Sequence, residues 1–255
     1  MVWSIFPYEN GFVTTTVEKI NGVPCLKFRP KNHKGLLPTI INYHGWHSSK
    51  EFKKFESMII ATNGYQVIVP DALHHGDRDA INHDDPKNFD DYLWKIIFQG
   101  IKESNKFIEL VIKDHNANAD KIAVMGDSMG AIIASGVFIV NPDLKCLVQL
   151  NGCAAWQESI KNNYLPKTVG EYDKLIECYD PIKNENRIKE RAILLIHGIE
   201  DTSLSINEQK LFFNKISPLY DGDLEKFKFI EVDKINHRIT TGMLEKSIIW
   251  LKEYL

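Results

Sequence analysis

Gly126-Asp127-Ser128-Met129-Gly130 sits between a short apolar run, Lys121 to Met125, and a longer one, Ala131 to Val140. A serine in a Gly-x-Ser-x-Gly turn between a strand and a helix is held in strained backbone that pushes its hydroxyl into the open, with a helix N-terminus behind it. Both glycines serve that turn, because a side chain at either place would collide with the neighbouring strand or helix. The chemistry open to such a serine is nucleophilic attack on a carbonyl. The plainer reading is a glycine-rich turn with an ordinary serine helix cap. A hydroxyl is a poor nucleophile at neutral pH, so attack needs a base, and the base needs an acid to orient it. Two later segments supply them. The apolar run Ile193 to Ile196 leads through His197-Gly198-Ile199-Glu200 to Asp201, the predicted acid. Phe229 to Val232 leads to a loop with Asn236-His237-Arg238, in which His237, the only histidine after Asp201, is the predicted base. Glu200 and Asp233 compete for the acid role. Read structurally, Asp201 would only shape its loop as an Asx-turn, and His237 would be an exposed loop histidine.

Acyl transfer also needs donors for the negative oxygen that develops on the carbonyl. The amide of Met129, next after the nucleophile, is one. The second is expected from His44-Gly45-Trp46-His47, at the amide of Trp46, while His44 is expected to bond its own loop rather than take a proton. Trp46, His47, His75 and Trp156 are candidate pocket walls. The loop Ala72 to Pro86 is rich in titratable groups, among them His74, His75, Asp77, His83, Asp84 and Asp85. Adjacent histidines on one loop rarely converge on one ion, and no His-x-x-x-His lies on a predicted helix, so no metal is expected. The loop is expected to buttress the nucleophile turn, with Arg78 pairing with Asp77 or Asp127.

Groups this far apart in the chain meet only if the elements bring them to one sheet edge. Strands are predicted at Phe12 to Ile20, Val23 to Phe28, Thr39 to Tyr43, Gln66 to Val69, Lys121 to Met125, Cys146 to Leu150, Ala192 to Ile196 and Lys226 to Val232. Asn21-Gly22 marks a hairpin between the first two. Helices are predicted at Lys50 to Asn63, Asn88 to Asn116 with a kink near Gly100, Ser128 to Val140, Ser205 to Ile216 and Thr240 to Tyr254. Strands alternating with helices imply a mostly parallel sheet covered on both faces. Between Asn151 and Arg191 the alternation lapses into a polar stretch dotted with Trp156, Tyr164, Tyr172 and Tyr179. An insertion at a strand end reads as a small helical cap over the site, spanning 152–191 of a single domain covering 1–255.

Composition sets the outer bounds. The chain has 255 residues, 44% apolar and 25% charged, with a net charge of −3. That is an ordinary soluble domain with no basic footprint for nucleic acid. Cys25, Cys146, Cys153 and Cys178 show no metal-ligand spacing, and three lie next to apolar segments as buried free thiols would. Met1 to Gly11 lacks the pattern of a secretory signal, and the apolar stretch from Met129 to Val140 is too short to cross a bilayer. A cytoplasmic protein without a membrane or nucleic-acid partner is expected, its state of association left open.

His44-Gly45-Trp46, Pro70-Asp71-Ala72 with His75-Gly76-Asp77-Arg78, the Gly126 to Gly130 turn, His197-Gly198-x-x-Asp201 and Asn236-His237 follow one another in the order of a known family. The chain resembles the α/β-hydrolase superfamily, and within it the small bacterial carboxylesterases near dienelactone hydrolases and the catalytic domain of prolyl oligopeptidases. The resemblance runs from about Pro38 to the C-terminus and extends to the leading hairpin. It implies the α/β-hydrolase fold with an eight-stranded, mostly parallel sheet, a Ser128–Asp201–His237 triad and no organic cofactor. The expected activity is hydrolysis of small or medium acyl esters, a small-molecule substrate, through an acyl-enzyme on Ser128. A peptidase or amidase, a thioesterase or acyltransferase, and a non-catalytic binding protein are the rival readings.

Overall fold

The computed structural model describes residues 11–168, 170–220 and 223–255; residues 1–10, most of the segment read above for a secretory signal, lie outside them. Among the described residues eight strands form one sheet in the order β1-β2-β4-β3-β5-β6-β7-β8. Strand β1 (Val13–Ile20) folds back on β2 (Val23–Pro30) through Asn21 and Gly22, both in left-handed backbone at φ 51° and 79°. β2 is also antiparallel to β4 (Gln66–Pro70); β3 (Leu37–Tyr43), β4, β5 (Ala117–Asp127), β6 (Cys146–Leu150), β7 (Ala192–Gly198) and β8 (Phe227–Val232) run parallel. Every residue of β4, β6 and β7 is buried, as expected where helices cover both faces of a parallel sheet.

On one face lie α2 (Pro86–Asp114), α3 (Met129–Val140) and α7 (Ile206–Ile216); on the other lie α1 (Lys54–Thr62) and α8 (Thr241–Tyr254). Helix α3 is buried from Met129 to Ile139, apolar on every side and wedged between α2 and the sheet. The kink expected at Gly100 gives way to one unbroken helix, and the glycine serves packing instead: a Cβ there would lie 2.9 Å from Ile133 Cγ2. The first turn predicted for α1 is also absent as helix. Those residues form tighter turns instead, the Phe52 and Lys53 amides donating to the Ser49 and Lys50 carbonyls at 3.1 and 3.3 Å, while the Lys50 amide donates to Asp71 Oδ1 at 2.9 Å.

The segment between β6 and β7 carries α4 (Trp156–Lys161), α5 (Glu171–Tyr179) and α6 (Glu185–Ile188). The buried Asp180 carboxylate accepts from the Trp156 and Gln157 amides at 2.9 and 3.0 Å, tying α5 to the start of α4. Arg191 closes the segment by donating to the Phe138, Asn141 and Leu144 carbonyls at the end of α3. Among the described residues no helix is long and apolar enough to cross a membrane.

Candidate active site

β5 ends at Asp127 and α3 opens at Met129, which leaves Ser128 alone in the turn at φ 53° and ψ −124°. Such backbone costs a non-glycine residue on the order of 1–3 kcal/mol. The flanking glycines make the turn sterically feasible: a Cβ on Gly126 would lie 2.3 Å from the Gly130 carbonyl oxygen, and one on Gly130 would lie 2.1 Å from that of Tyr43. The Ser128 hydroxyl makes no capping bond to α3. It lies 2.8 Å from His237 Nε2, and His237 Nδ1 lies 2.7 Å from Asp201 Oδ2. With Nδ1–H donating to the carboxylate, Nε2 is left to accept from the hydroxyl, the arrangement a general base requires.

Asp201 is buried in the turn after β7. Its Oδ1 accepts from the Ser203 and Leu204 amides at 2.9 and 3.0 Å. Its Oδ2 takes His237 and also His197, whose Nε2 is 3.2 Å away. Burial pushes the carboxyl up, but the His197 and His237 donors and the Leu204 amide outweigh it and hold it well below the usual carboxylate range. His197 Nε2 also meets the Leu204 carbonyl at 3.0 Å, so that nitrogen carries the ring's proton. The competing acids Glu200 and Asp233 are exposed. Sequence reasoning assigned His197 no role, although a histidine at the end of an apolar strand, four residues before the predicted acid, was a signal for it.

The loop bearing His237 is set by two features of the strand ends. A Cβ on Gly198 would lie 2.3 Å from the Ile235 carbonyl, so the glycine lets this loop press against β7. Asn151, in left-handed backbone just past β6, accepts from the Gly198 amide at 3.0 Å and donates to the Arg238 carbonyl at 2.9 Å. It thereby staples the two loops that carry Asp201 and His237.

The loop after β3 runs against Ser128: a Cβ on Gly45 would lie 3.4 Å from Ser128 Cβ. Its Gly45–Trp46 peptide is held from behind. The Ala72 amide donates to His44 Nε2 at 3.0 Å, so the proton sits on Nδ1, which donates to the Gly45 carbonyl at 2.8 Å. The Gly45 carbonyl and the Trp46 amide belong to one planar unit, so His44 orients the amide predicted to meet an oxyanion. Burial pushes the His44 pKa down to about 3 and keeps the ring neutral. Met129, the other predicted donor, opens α3, where the first amides have no intrahelical acceptor.

Two predicted pocket walls lie elsewhere. His75 is buried behind Trp46, with Nε2 2.7 Å from the Trp46 carbonyl, Nδ1 2.9 Å from the Leu73 carbonyl and its ring stacked on His83. A neutral imidazole donates to only one of those carbonyls, and burial together with His44 pushes the His75 pKa down to about 3. Trp156 is fully buried beside Trp94 and Phe98 because its Nε1–H finds the Cys153 carbonyl at 3.1 Å, which removes the need for a polar rim.

The predicted partners of Arg78 also differ. Arg78 makes a fork to Glu103 of α2 at 2.7 and 3.1 Å, while Asp77 meets the buried amine of Lys50 at 2.7 Å. Asp127 meets Lys53, which also holds Glu56 at 2.9 Å. The loop Ala72 to Pro86 therefore braces the turn at Trp46, and Lys53 braces the turn at Ser128 through Asp127.

Beside the Ser128 hydroxyl lies a cavity of about 320 Å³. Trp46, Phe89, Leu93, Ile132, Leu165 and Leu204 supply apolar walls, and the predicted His47 stands at its rim with Asp84, 3.6 Å apart. Tyr164 and Leu165 come from the segment between β6 and β7. Phe89 and Leu93, one helical turn apart at the start of α2, were not singled out in the sequence, where they fall inside a predicted helix without a role.

Residues 99–254 match the prolyl oligopeptidase family. YitV of Bacillus subtilis (strain 168) is 24% identical over 254 residues, covering 93% of this chain and 98% of its own. Esterase YjfP of Escherichia coli (strain K12) is 24% identical over 243 residues, covering 91% of this chain and 96% of its own. Among solved structures, TT1662 of Thermus thermophilus aligns with a TM-score of 0.76 at 16% identity, over 94% of this chain and 97% of that one.

Proposed function

Because the chain belongs to the prolyl oligopeptidase family, we propose that it is a serine hydrolase that cleaves small or medium carboxylic esters through an acyl-enzyme on Ser128. The observation that carries this reading is the unbroken relay from the Ser128 hydroxyl through His237 to Asp201, at 2.8 and 2.7 Å, beside a small apolar cavity. His237 Nε2 takes the hydroxyl proton as Ser128 Oγ attacks the carbonyl, and Asp201 stabilises the imidazolium that forms. The Trp46 and Met129 amides donate to the oxyanion. As the tetrahedral species collapses, His237 returns its proton to the leaving alcohol. Water, deprotonated by the same ring, then frees the acid and restores the hydroxyl.

The whole-length similarity to an esterase favours an oxygen leaving group. The family itself favours peptide or amide cleavage as the second reading. Steady-state turnover of short nitrophenyl esters beside aminoacyl nitroanilides separates the two, and a fluorophosphonate probe tests the nucleophile in the folded protein. Ester turnover with Ser128 labelled is the expected result. Turnover of the nitroanilides alone would establish the second reading, and an unlabelled Ser128 would leave a binding protein on this fold.

A further inference from the structure

The cavity beside Ser128 does not simply run out at its far side. Phe89, Tyr164 and Leu165 line it, and the same three residues line a second concavity of about 390 Å³ whose other walls are Asp90, Asn163, Pro166 and Lys167. One thin wall of side chains thus has the reacting hydroxyl on one side and a groove on the other.

The wall is held in place. Leu165 is 4% exposed. The Tyr164 and Leu165 amides both donate to the Ser159 carbonyl, at 2.9 and 3.3 Å, which folds this stretch back on α4. From the opposite side, Trp94 Nε1 in α2 donates to the Pro166 carbonyl at 2.8 Å. Phe89 lines both spaces from the first turns of α2, with its ring edge-on to Trp46 at 5.1 Å. The 164–166 side of the partition is therefore anchored to α2 through Trp94 and to α4 through Ser159.

Resting on the esterase reading above, we infer that Leu165 and Phe89 set the acyl-length limit of this enzyme, restricting it to short-chain acyl esters by closing the apolar cavity off from the groove behind it. At about 320 Å³ the cavity is at the small end of ligand sites. Its apolar walls suit a hydrocarbon group, and its polar rim of His47 and Asp84 suits the solvated end of a substrate. A short acyl chain fills the closed side. A longer one meets Leu165, the most buried of the three partition residues.

The test is the chain-length profile of nitrophenyl esters from acetate through butyrate to octanoate, with kcat/KM measured for the native protein, Leu165→Ala, Phe89→Ala and Leu165→Phe. The native protein should favour butyrate over octanoate by about tenfold or more, and Leu165→Ala should raise the octanoate-to-butyrate ratio by about tenfold. Leu165→Phe, which enlarges the wall, should move preference toward acetate and supplies the answer if the alanine variants fold poorly. An octanoate-to-butyrate ratio unchanged in Leu165→Ala, or an acetate preference unchanged in Leu165→Phe, overturns the inference while ester turnover by the native protein keeps the esterase reading. A gain confined to long alcohols, measured with octyl against ethyl acetate, also overturns it, because the cavity would then hold the leaving group. A native protein that turns over none of these esters overturns both.

Discussion

Asp201 holds four donors on two oxygens, and that is the feature of the site with the most to say about single residues. Ser203 and Leu204 amides fix Oδ1, while His197 and His237 share Oδ2. Asp201→Asn should cost about a thousandfold or more in kcat, because an amide cannot hold the His237 tautomer. Ser128→Ala and His237→Ala should cost as much, with the fold retained by circular dichroism. His197 acts through Asp201 and touches no substrate, so it is a positioning residue. His197→Leu should lower kcat by about tenfold to a hundredfold and leave KM little changed. His197→Gln, which restores a donor, should recover most of the loss. A variant that loses only stability, with kcat intact, would reduce His197 to a packing role. The three principal residues were legible because each follows an apolar run that could only be a strand. His197 and Asn151 were not assigned roles: the signal for His197 was local, four residues before Asp201, whereas Asn151 takes its meaning from Gly198 and Arg238 on other loops.

At the scale of elements the strand-to-helix turn carries stored strain, and strain has a measurable sign. Ser128 sits at φ 53°, where glycine is at ease and a Cβ is not. Ser128→Gly and Ser128→Ala should both be inactive, but the glycine variant should be the more stable of the two by about 1 kcal/mol in urea titrations. Gly130→Ala is the reverse case. Its Cβ would lie 2.1 Å from the Tyr43 carbonyl oxygen, so β3 and α3 must separate. That variant should lose several degrees or more of Tm and most activity, because the same displacement moves the Trp46 loop away from Ser128. Helix and strand positions were readable from periodicity to within a few residues. The start of α1 was read too early, because residues 50–53 form i to i+3 turns around Lys50, whose amide and amine are held by Asp71 from the loop after β4.

The molecule as a whole carries buried neutral histidines, and these govern its response to acid. Burial holds His44 and His75 near a pKa of about 3 in the folded chain. Unfolded, each would titrate near about 6.5. Below that pH the unfolded chain takes up protons that the folded one refuses, so stability falls as pH falls, by up to about 1.4 kcal/mol per pH unit for each ring. Asp201, held low, acts in the same direction in more acid solution: its contribution is present above its unfolded value of about 3.9 and is lost as pH falls below it. Urea melts should therefore show a steeper loss between pH 6 and pH 4 than His75→Phe shows. Equal slopes would mean that His75 is protonated in the folded state, donating to both carbonyls it faces.

What the chain revealed unfolded was local: an alternation of apolar runs and turns that specifies the sheet, and reactive residue types placed directly after predicted strands. Turn chemistry and periodicity depend on neighbours a few positions away, so they can be read without coordinates. Partner choice could not be read in that way. Lys53 on Asp127, Arg78 on Glu103, His75 behind Trp46, and Phe89 and Leu165 lining one cavity all bring together residues whose distance is set by how helices pack on the sheet. Each side chain had several partners of suitable charge or shape, and only close packing in three dimensions selected one.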